Sequence, residues 1–149
     1  MGDMTNPITL AFELNVVDGW PPVSSESLPF VAEENGFRLL AAPLFVKDLS
    51  AQDVLKIEAD IEGVVNTWSH VIHSSRTTIW ILRIDEPSGI EPVLHNLRQL
   101  GCNTGRLPSA GIYSVDVPET IALEWVEREL RKLLPNSVAI CYPSLRHPE

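Results

Sequence analysis

The sequence is poor in cysteine and has no long apolar run, and each shortage excludes a class of protein. Only two of its 149 residues are cysteine, Cys102 and Cys141. We expect both to be buried free thiols, because unpaired cysteine is among the most buried residue types. No apolar run approaches the roughly 20 residues of a membrane-spanning helix, so we predict no membrane partner. Residues 1–7 lack the apolar core of a signal peptide, and we predict a cytoplasmic location.

Basic residues are also scarce, and unevenly so along the chain. The sequence holds 11 Lys and Arg against 20 Asp and Glu, a formal net charge of −9. Residues 1–75 hold eleven of the acids but only three of the bases, whereas residues 76–149 hold nine acids and eight bases. A nucleic-acid partner requires a basic face, so we predict none. The acidic half suits a basic protein partner, or it serves solubility alone.

The signatures of common enzymes and metal sites are missing as well. The chain has no Gly-rich phosphate loop, no Gly-x-Ser-x-Gly and no His-Glu-x-x-His. His70 and His73 are three residues apart on a predicted strand, where such side chains face opposite sides, so we predict that they share no metal ion. Asp18, Glu26 and Asp53 could form an acid/base pair, but turn and strand-end carboxylates more often cap backbone N–H groups. We therefore predict no cofactor and no catalytic residue.

Residues 76–149 have the pattern of a ferredoxin-like half. The predicted elements are Thr77–Ile84, a helix from Ser88 to Leu100, Cys102–Leu107, Ile112–Val117, Glu119–Leu134 and Ser137–Tyr142. Strand, helix, strand, strand, helix, strand is the order of a βαββαβ sandwich. We expect an antiparallel sheet of order 4-1-3-2 with both helices on one face.

Local signals support both predicted helices. Ser88 and Glu91 have the spacing of a capping box at the start of the first helix, and Gly101 follows its last apolar residue as a stop. The second helix should gain a few tenths of a kcal/mol from each i,i+4 ion pair. Those predicted pairs are Glu124 with Arg128 and Glu127 with Arg131.

The pattern of residues 1–75 predicts a small β-rich, barrel-like half. Together with the ferredoxin-like half, it places the chain in the α+β fold class. Five short segments read as strands: Ile8–Val16, Leu28–Glu33, Phe37–Ala42, Val54–Asp60 and Val64–His73. Asn35-Gly36 is the strongest hairpin signal in the chain, and short strands joined by tight turns favour a barrel or a strongly curved sheet. The boundary falls near residue 75, and we expect the two halves to pack tightly.

Several short motifs resemble one bacterial family. They are Val17-Asp-Gly-Trp-Pro-Pro-Val23, Glu26, Ala42-Pro-Leu-Phe45, Leu49-Ser-x-x-Asp53, Leu97-x-x-Leu100-Gly101 and Val115-Asp-Val-Pro118. Together these segments resemble the family known as domain of unknown function 4265. Gln52 departs from the pattern, since the family tends to place glycine there, which puts the geometry of that turn in question. The resemblance implies no activity, cofactor or partner.

Our hypothesis for the function is a non-enzymatic acidic module that binds another protein, most concretely an immunity-type inhibitor of a basic bacterial toxin domain. Complementary charge speeds such an association. Trp20 is the candidate anchor, and Glu33, Glu34, Asp60 and Glu62 flank two hairpin tips, where we expect them to be solvated and outside ion pairs. One alternative is a small-molecule-binding sensor or regulator with a pocket between the halves. Another is an enzyme with a site built from Glu26 and Asp53.

Overall fold

The computed structural model describes residues 6–86 and 88–148, and the chain divides into two compact units between Ser74 and Ser75. We call them unit 1 and unit 2. The fold is mixed and rich in strands, with two helices and two antiparallel sheets. Among the described residues, no helix has the length and apolar character needed to cross a membrane.

Unit 1 is a five-stranded antiparallel meander in which each strand pairs with the next. The strands are β1 (Ile8–Glu13), β2 (Ser25–Glu33), β3 (Gly36–Leu39), β4 (Val54–Ala59) and β5 (Val65–Ile72). All five predicted strands are present. Ala11 of β1 forms one isolated bridge with Val64, the residue before β5, and no ladder joins the two strands in the described part of the chain. The sheet is therefore not the closed barrel-like form that we expected. The outer strands of a five-stranded meander run parallel, and parallel pairing is slightly less stable per residue.

The predicted Asn35-Gly36 hairpin is confirmed, and Glu33 pairs with Gly36 across its turn. A side chain at Gly36 would collide with the backbone of Leu55 in the neighbouring strand, so the close approach of β4 requires glycine there. Apolar side chains from the strands and the long connection meet in one core. That core contains Leu10, Phe12, Leu28, Phe30, Leu39, Val46, Leu49, Leu55 and Val65.

Unit 2 has the predicted βαββαβ order. Its elements are β6 (Thr77–Arg83), α1 (Ile90–Leu100), β7 (Asn103–Leu107), β8 (Ile112–Val117), α2 (Leu123–Leu130) and β9 (Val138–Ser144). The antiparallel sheet runs β7-β8-β6-β9, which is the predicted order 4-1-3-2. Buried residues of both helices share one core with Ile79 and Ile81 of β6, so both helices cover the same face of the sheet.

Both helices are shorter than predicted. α1 begins at Ile90 because Gly89 takes a left-handed conformation with φ 74°, and no side chain caps the helix. The predicted capping box of Ser88 and Glu91 is therefore wrong. α2 covers Leu123–Leu130 only, although Leu133 beyond its end is still buried in the core. Turns flank α2 where we expected further helix.

The predicted i,i+4 ion pairs of α2 are replaced by other contacts. The Arg128 guanidinium lies over the Trp125 ring, 4.6 Å from its centroid. Glu127 accepts a hydrogen bond of 2.8 Å from the Tyr142 hydroxyl of β9. Glu127 thus bonds to Tyr142 on β9 and not to Arg131, the partner that we predicted.

The two cysteines differ in exposure. Cys102 is buried at the start of β7, as predicted, whereas Cys141 is exposed. The prediction for Cys141 is wrong because β9 is the outer strand of its sheet, and an outer strand is only partly covered by its neighbours.

The C-terminal residues are fastened to unit 2 by a buried polar network. Thr77 Oγ1 accepts the backbone N–H groups of Arg146 at 2.9 Å and His147 at 3.1 Å, and it lies 2.6 Å from His147 Nδ1. The other ring nitrogen, Nε2, donates to the carbonyl oxygens of Pro118 at 3.0 Å and Ile121 at 2.9 Å. Because the Thr77 hydroxyl oxygen already accepts two backbone N–H groups, its own proton is directed at His147 Nδ1.

Candidate functional site

The unit 1 segments that carry the family resemblance meet at one end of the sheet. The connection between β1 and β2 (residues 14–24) and the connection between β3 and β4 (residues 40–53) leave the meander at the same end, beside the end of β5. We call this the loop end and the opposite end, with the tight turns after β2 and β4, the hairpin end. β2 has nine residues, so the two ends lie roughly 25 Å apart at about 3.3 Å per residue.

Glu26, the second residue of β2, fastens the connection between β3 and β4. Its part-buried carboxylate accepts backbone N–H groups from three successive residues, Leu44 at 2.6 Å, Phe45 at 2.9 Å and Val46 at 3.0 Å. Burial raises the pKa of Glu26, and the three N–H bonds oppose that rise. The capping interpretation of Glu26 is therefore confirmed, and its carboxylate positions residues 44–46 against β2.

Asp53 fastens the end of the same connection to β5. Its side chain is fully buried, at 0% exposure. One carboxylate oxygen accepts the Ser74 N–H at 2.8 Å, and the other accepts the Ser50 N–H at 2.9 Å and lies 3.0 Å from His70 Nε2. An ionised carboxylate only accepts hydrogen bonds, so His70 donates through Nε2 and its ring orientation is set. Asp53 thus also acts as a capping group.

The turn before Asp53 explains the departure at Gln52. Gln52 has a φ of 73°, in the left-handed region where glycine has no steric penalty. The glycine that the family tends to place here fits that conformation. Gln52 therefore takes a backbone conformation that glycine adopts at a lower steric cost.

The prediction that His70 and His73 face opposite sides of a strand is wrong. The pairing of β4 with β5 shifts by one residue at Val71, which is a β-bulge. The bulge turns the two rings to the same side, where they stack with centroids 3.9 Å apart and planes 15° apart. Within residues 6–86 and 88–148, no group of three or more His, Cys, Asp and Glu side chains is arranged to hold a metal ion.

Trp20 lies on a tight turn at the loop end. Val17 and Trp20 exchange two backbone hydrogen bonds of 2.9 and 3.1 Å, and Asp18 and Gly19 between them both have positive φ. This is the conformation of a type I′ turn. The Trp20 side chain is 44% exposed. Its ring system and the Phe45 ring form a T-shaped pair, with centroids 6.1 Å apart.

The contact between Trp20 and Phe45 links the exposed ring to the Glu26 brace, because the Phe45 backbone N–H is one of the three that Glu26 holds. Val16 and Val17 in the same connection are also exposed, at 44% and 58%. We call Val16, Val17 and Trp20 the Trp20 patch. Its three side chains are apolar and exposed on a connecting segment, and apolar side chains that cluster on a surface mark interaction sites.

The four predicted carboxylates lie at the hairpin end, away from Trp20. Glu33 forms a bidentate ion pair with Arg38 on the outer face of the first hairpin, so our expectation that it stays outside ion pairs is wrong. Asp60 Oδ1 caps its own turn by accepting the N–H groups of Glu62 and Val64, each at 2.9 Å. Neither Asp60 nor Glu62 has an ion pair among the residues that the structure describes.

Glu34, the fourth predicted carboxylate, is exposed and makes no ion pair with any described residue. The hairpin end also carries Ile61, which sequence reasoning did not single out. Ile61, at the tip between two acids, is fully exposed. The sequence signals were an apolar residue inside the Asp60–Gly63 turn and, at the loop end, an apolar Val16-Val17 pair directly before the Asp18-Gly19 turn.

Comparisons with known proteins agree with this fold but name no activity. The chain is similar over 99% of its length to the whole of a hypothetical protein from Neisseria gonorrhoeae of known crystal structure, at 16% identity and with a TM-score of 0.67. A likeness at this identity shows a common fold alone. No curated protein matches the chain. A model of DUF4265, a domain of unknown function, matches residues 27–138, and because that match covers most of the sequence, the chain belongs to the DUF4265 family.

Proposed function

We propose that this protein is a non-enzymatic, acidic module that binds a basic protein partner, most concretely an immunity-type inhibitor of a basic bacterial toxin domain. One observation carries the proposal: Trp20 is half exposed on a turn whose neighbours are fastened by Glu26. Tryptophan is enriched among the residues that dominate binding energy. A ring that is already positioned loses little conformational entropy when a partner covers it.

The acids of the hairpin end have a different task in this proposal. Glu34, Asp60 and Glu62 lie on turns at the opposite end of the meander from the connection that carries the Trp20 patch, so they do not need to contact the same part of a partner. Unpaired surface charge acts over a Debye length of about 8–10 Å and raises the rate of encounter with an oppositely charged protein. The Trp20 patch then sets the dissociation rate, and the acids set the association rate.

The carboxylates of Glu26 and Asp53 support a non-enzymatic function. A general base must be within reach of a substrate proton, whereas Glu26 is held by three backbone N–H groups and Asp53 by two backbone N–H groups and an imidazole. Their hydrogen-bonding capacity is used in shaping the loop end. We also assign unit 2 to the ferredoxin-like class as part of this proposal, and its strand order and two-helix face support that assignment.

The test uses tagged full-length protein to capture a partner from extracts of the native host, with two tryptophan variants compared side by side. Trp20→Ala should lose the partner and Trp125→Ala should keep it. Trp125 is the matched control because it is 49% exposed and belongs to unit 2. A partner retained equally by both variants would contradict the assignment of Trp20.

Binding kinetics with the captured protein then separate the two surfaces. We expect Trp20→Ala to raise the dissociation rate by roughly 30-fold or more, since a hot-spot residue is worth about 2 kcal/mol or more. The series Glu34→Gln/Glu62→Gln and Glu34→Lys/Glu62→Lys should lower the association rate stepwise, by about tenfold at low salt for the lysine pair. An unchanged association rate across the series would show that the charge serves solubility alone.

A further inference from the structure

The two outer strands of unit 2 differ in how they are protected. The sheet runs β7-β8-β6-β9, so β7 and β9 have no further strand beside them among the described residues. β7 is short and carries Arg106, which pairs with Glu91 at 3.1 Å. β9 exposes Ile140 and Tyr142, at 37% and 36%. Charge and short length deter the addition of a strand, and an apolar edge without them favours it.

Two grooves lie between this apolar edge and α2. The first, of about 670 Å³, adjoins the end of α2 and the start of β9. The second, of about 590 Å³, adjoins the start of α2 and the end of β9. Glu127 and Tyr142 line both grooves, and their hydrogen bond separates the two. The other rim residues that matter here are Arg131 and Ile140 in the first groove, and Glu119, Glu124 and Leu145 in the second.

The charge of the rim changes sign along the edge. Glu119 and Glu124 border the second groove, at the start of α2, and Arg131 borders the first, at its end. The start of α2 adjoins the end of β9, so helix and strand run antiparallel. A second copy whose β9 ran antiparallel to the first would carry its own α2 in the reversed direction too. Its Arg131 end would then lie toward the acidic end of the first copy.

We propose that a second copy of this chain binds along β9, giving a two-fold dimer in which two four-stranded sheets join edge to edge. The surface is self-complementary, as an isologous interface must be: apolar residues meet apolar residues, and opposite charges meet at each end. Pro143 cannot donate to a ladder, so pairing covers Val138 to Tyr142. The two-fold axis then passes Ile140, and each copy covers the exposed Ile140 and Tyr142 of the other.

Cys141 supplies a direct readout of this register. With the axis at Ile140, Cys141 lies opposite Ala139 of the second copy, and the two Cys141 residues are diagonal neighbours about 7–8 Å apart. Their side chains point to the same face of the joined sheet, opposite to Ile140. Cys102 is buried and does not compete for a thiol reagent in the folded protein.

The test is sedimentation of the full-length protein over a range of concentrations, for the wild type, Ile140→Lys and Ile72→Lys. The wild type should pass from the monomer mass of 16.6 kDa to twice that mass. Ile140→Lys should raise the dimer Kd by roughly tenfold or more, because like charges would lie directly opposite each other. Ile72→Lys, at the end of the outer strand of unit 1 and 48% exposed in the wild type, should have no effect.

Cross-linking of the wild type with a short bis-maleimide gives the second measurement and does not depend on the folding of a variant. A covalent dimer should form and disappear with Cys141→Ser. A wild type that stays monomeric and is not cross-linked through Cys141 overturns the proposal. So does a dimer that Ile140→Lys leaves intact. The wild type could also stay monomeric while Ile140→Lys loses the partner that Trp20 binds. That result would overturn the dimer and show that another protein occupies the β9 edge.

Discussion

The long connection between β3 and β4 in unit 1 is fastened by two carboxylates, whereas the helices of unit 2 are fastened to their sheet by apolar side chains. In unit 1, Glu26 and Asp53 each bind backbone N–H groups from a connection that has no regular pairing of its own. In unit 2, Leu94, Leu97 and Val126 pack against the sheet with no exposed surface. The difference follows from backbone chemistry, because a helix satisfies its own N–H groups and an irregular loop does not.

This contrast explains where the family motifs of unit 1 lie. An apolar core tolerates many substitutions of similar volume, so it leaves little trace as a motif. A carboxylate that holds three successive N–H groups depends on the length and position of one side chain. Glu26 and Leu49-Ser-x-x-Asp53 therefore stand out as motifs because their carboxylates hold the connection between β3 and β4 in place. Phe45 of that connection in turn contacts Trp20.

Asp53→Ala should cause the largest loss of stability if carboxylates hold unit 1 together. It removes the carboxylate that accepts the Ser50 and Ser74 N–H groups and contacts the part-buried His70, which should cost about 3–5 kcal/mol. Denaturant unfolding measures the loss, and hydrogen exchange should place it in unit 1. Asp53→Asn keeps one acceptor oxygen and should lose less. Equal losses for the two variants would contradict the role of hydrogen bonding.

Leu130→Ala is the corresponding change in unit 2. Leu130 is 4% exposed in the core under the sheet, and its truncation should cost about 2–5 kcal/mol through lost apolar burial and a cavity. Leu134→Ala, at a position that is 45% exposed, is the control and should cost less than about 0.5 kcal/mol. Similar losses at both positions would show that the buried face of α2 is not what secures it.

Thr77→Val sharpens the comparison, because it removes a buried polar contact from the unit that otherwise depends on apolar packing. The hydroxyl accepts two backbone N–H groups and donates to His147. A valine of nearly the same shape leaves these groups unsatisfied, at an expected cost of about 1–3 kcal/mol. Thr120→Val, at an exposed position, is the control. A loss no larger than that of the control would mean that packing alone holds the C-terminal residues.

The smallest expected effect concerns the Tyr142 hydroxyl. Burial, with a smaller contribution from its hydrogen bond to Glu127, raises the pKa of Tyr142 to about 12. The folded state thus favours the neutral phenol, so this contribution to stability is complete below pH 10 and is lost as the pH rises toward 12. Tyrosinate absorbance during alkaline titration measures the pKa. Glu127→Gln should lower the pKa but leave it above 10, because burial is the largest cause. A return of the pKa to 10 would show that Glu127, and not burial, causes the rise.

Much of the fold could be predicted from local patterns. The Asn35-Gly36 turn and the apolar alternation located the strands of unit 1, and the βαββαβ order led to the correct sheet order in unit 2. The helix ends were less predictable. Gly89 takes a left-handed conformation that moves the start of α1 past Ser88, and a capping-box spacing does not reveal a competing glycine.

The arrangement of the site could be predicted only in part, because its bonds join residues far apart in sequence. Glu26 reaches Leu44, 18 residues away, and Asp53 reaches Ser74, 21 residues away. The capping role was predictable from residue type, but the partners were not. The stacking of His70 on His73 depends on a bulge that no composition signal marks. The separation of Trp20 from the acids follows from the topology of the meander.

Because of the bulge at Val71, the arrangement of side chains at the end of β5 depends on how many residues the strand contains as well as on which residues they are. Side chains alternate along a strand, so one extra residue reverses the phase of every position after it. Deleting Val71 would leave all later side chains chemically unchanged but would turn His73 away from His70 and pull the Ser74 N–H off Asp53. Among relatives of this chain, an insertion or deletion at this point would therefore alter the loop end more than most substitutions within it.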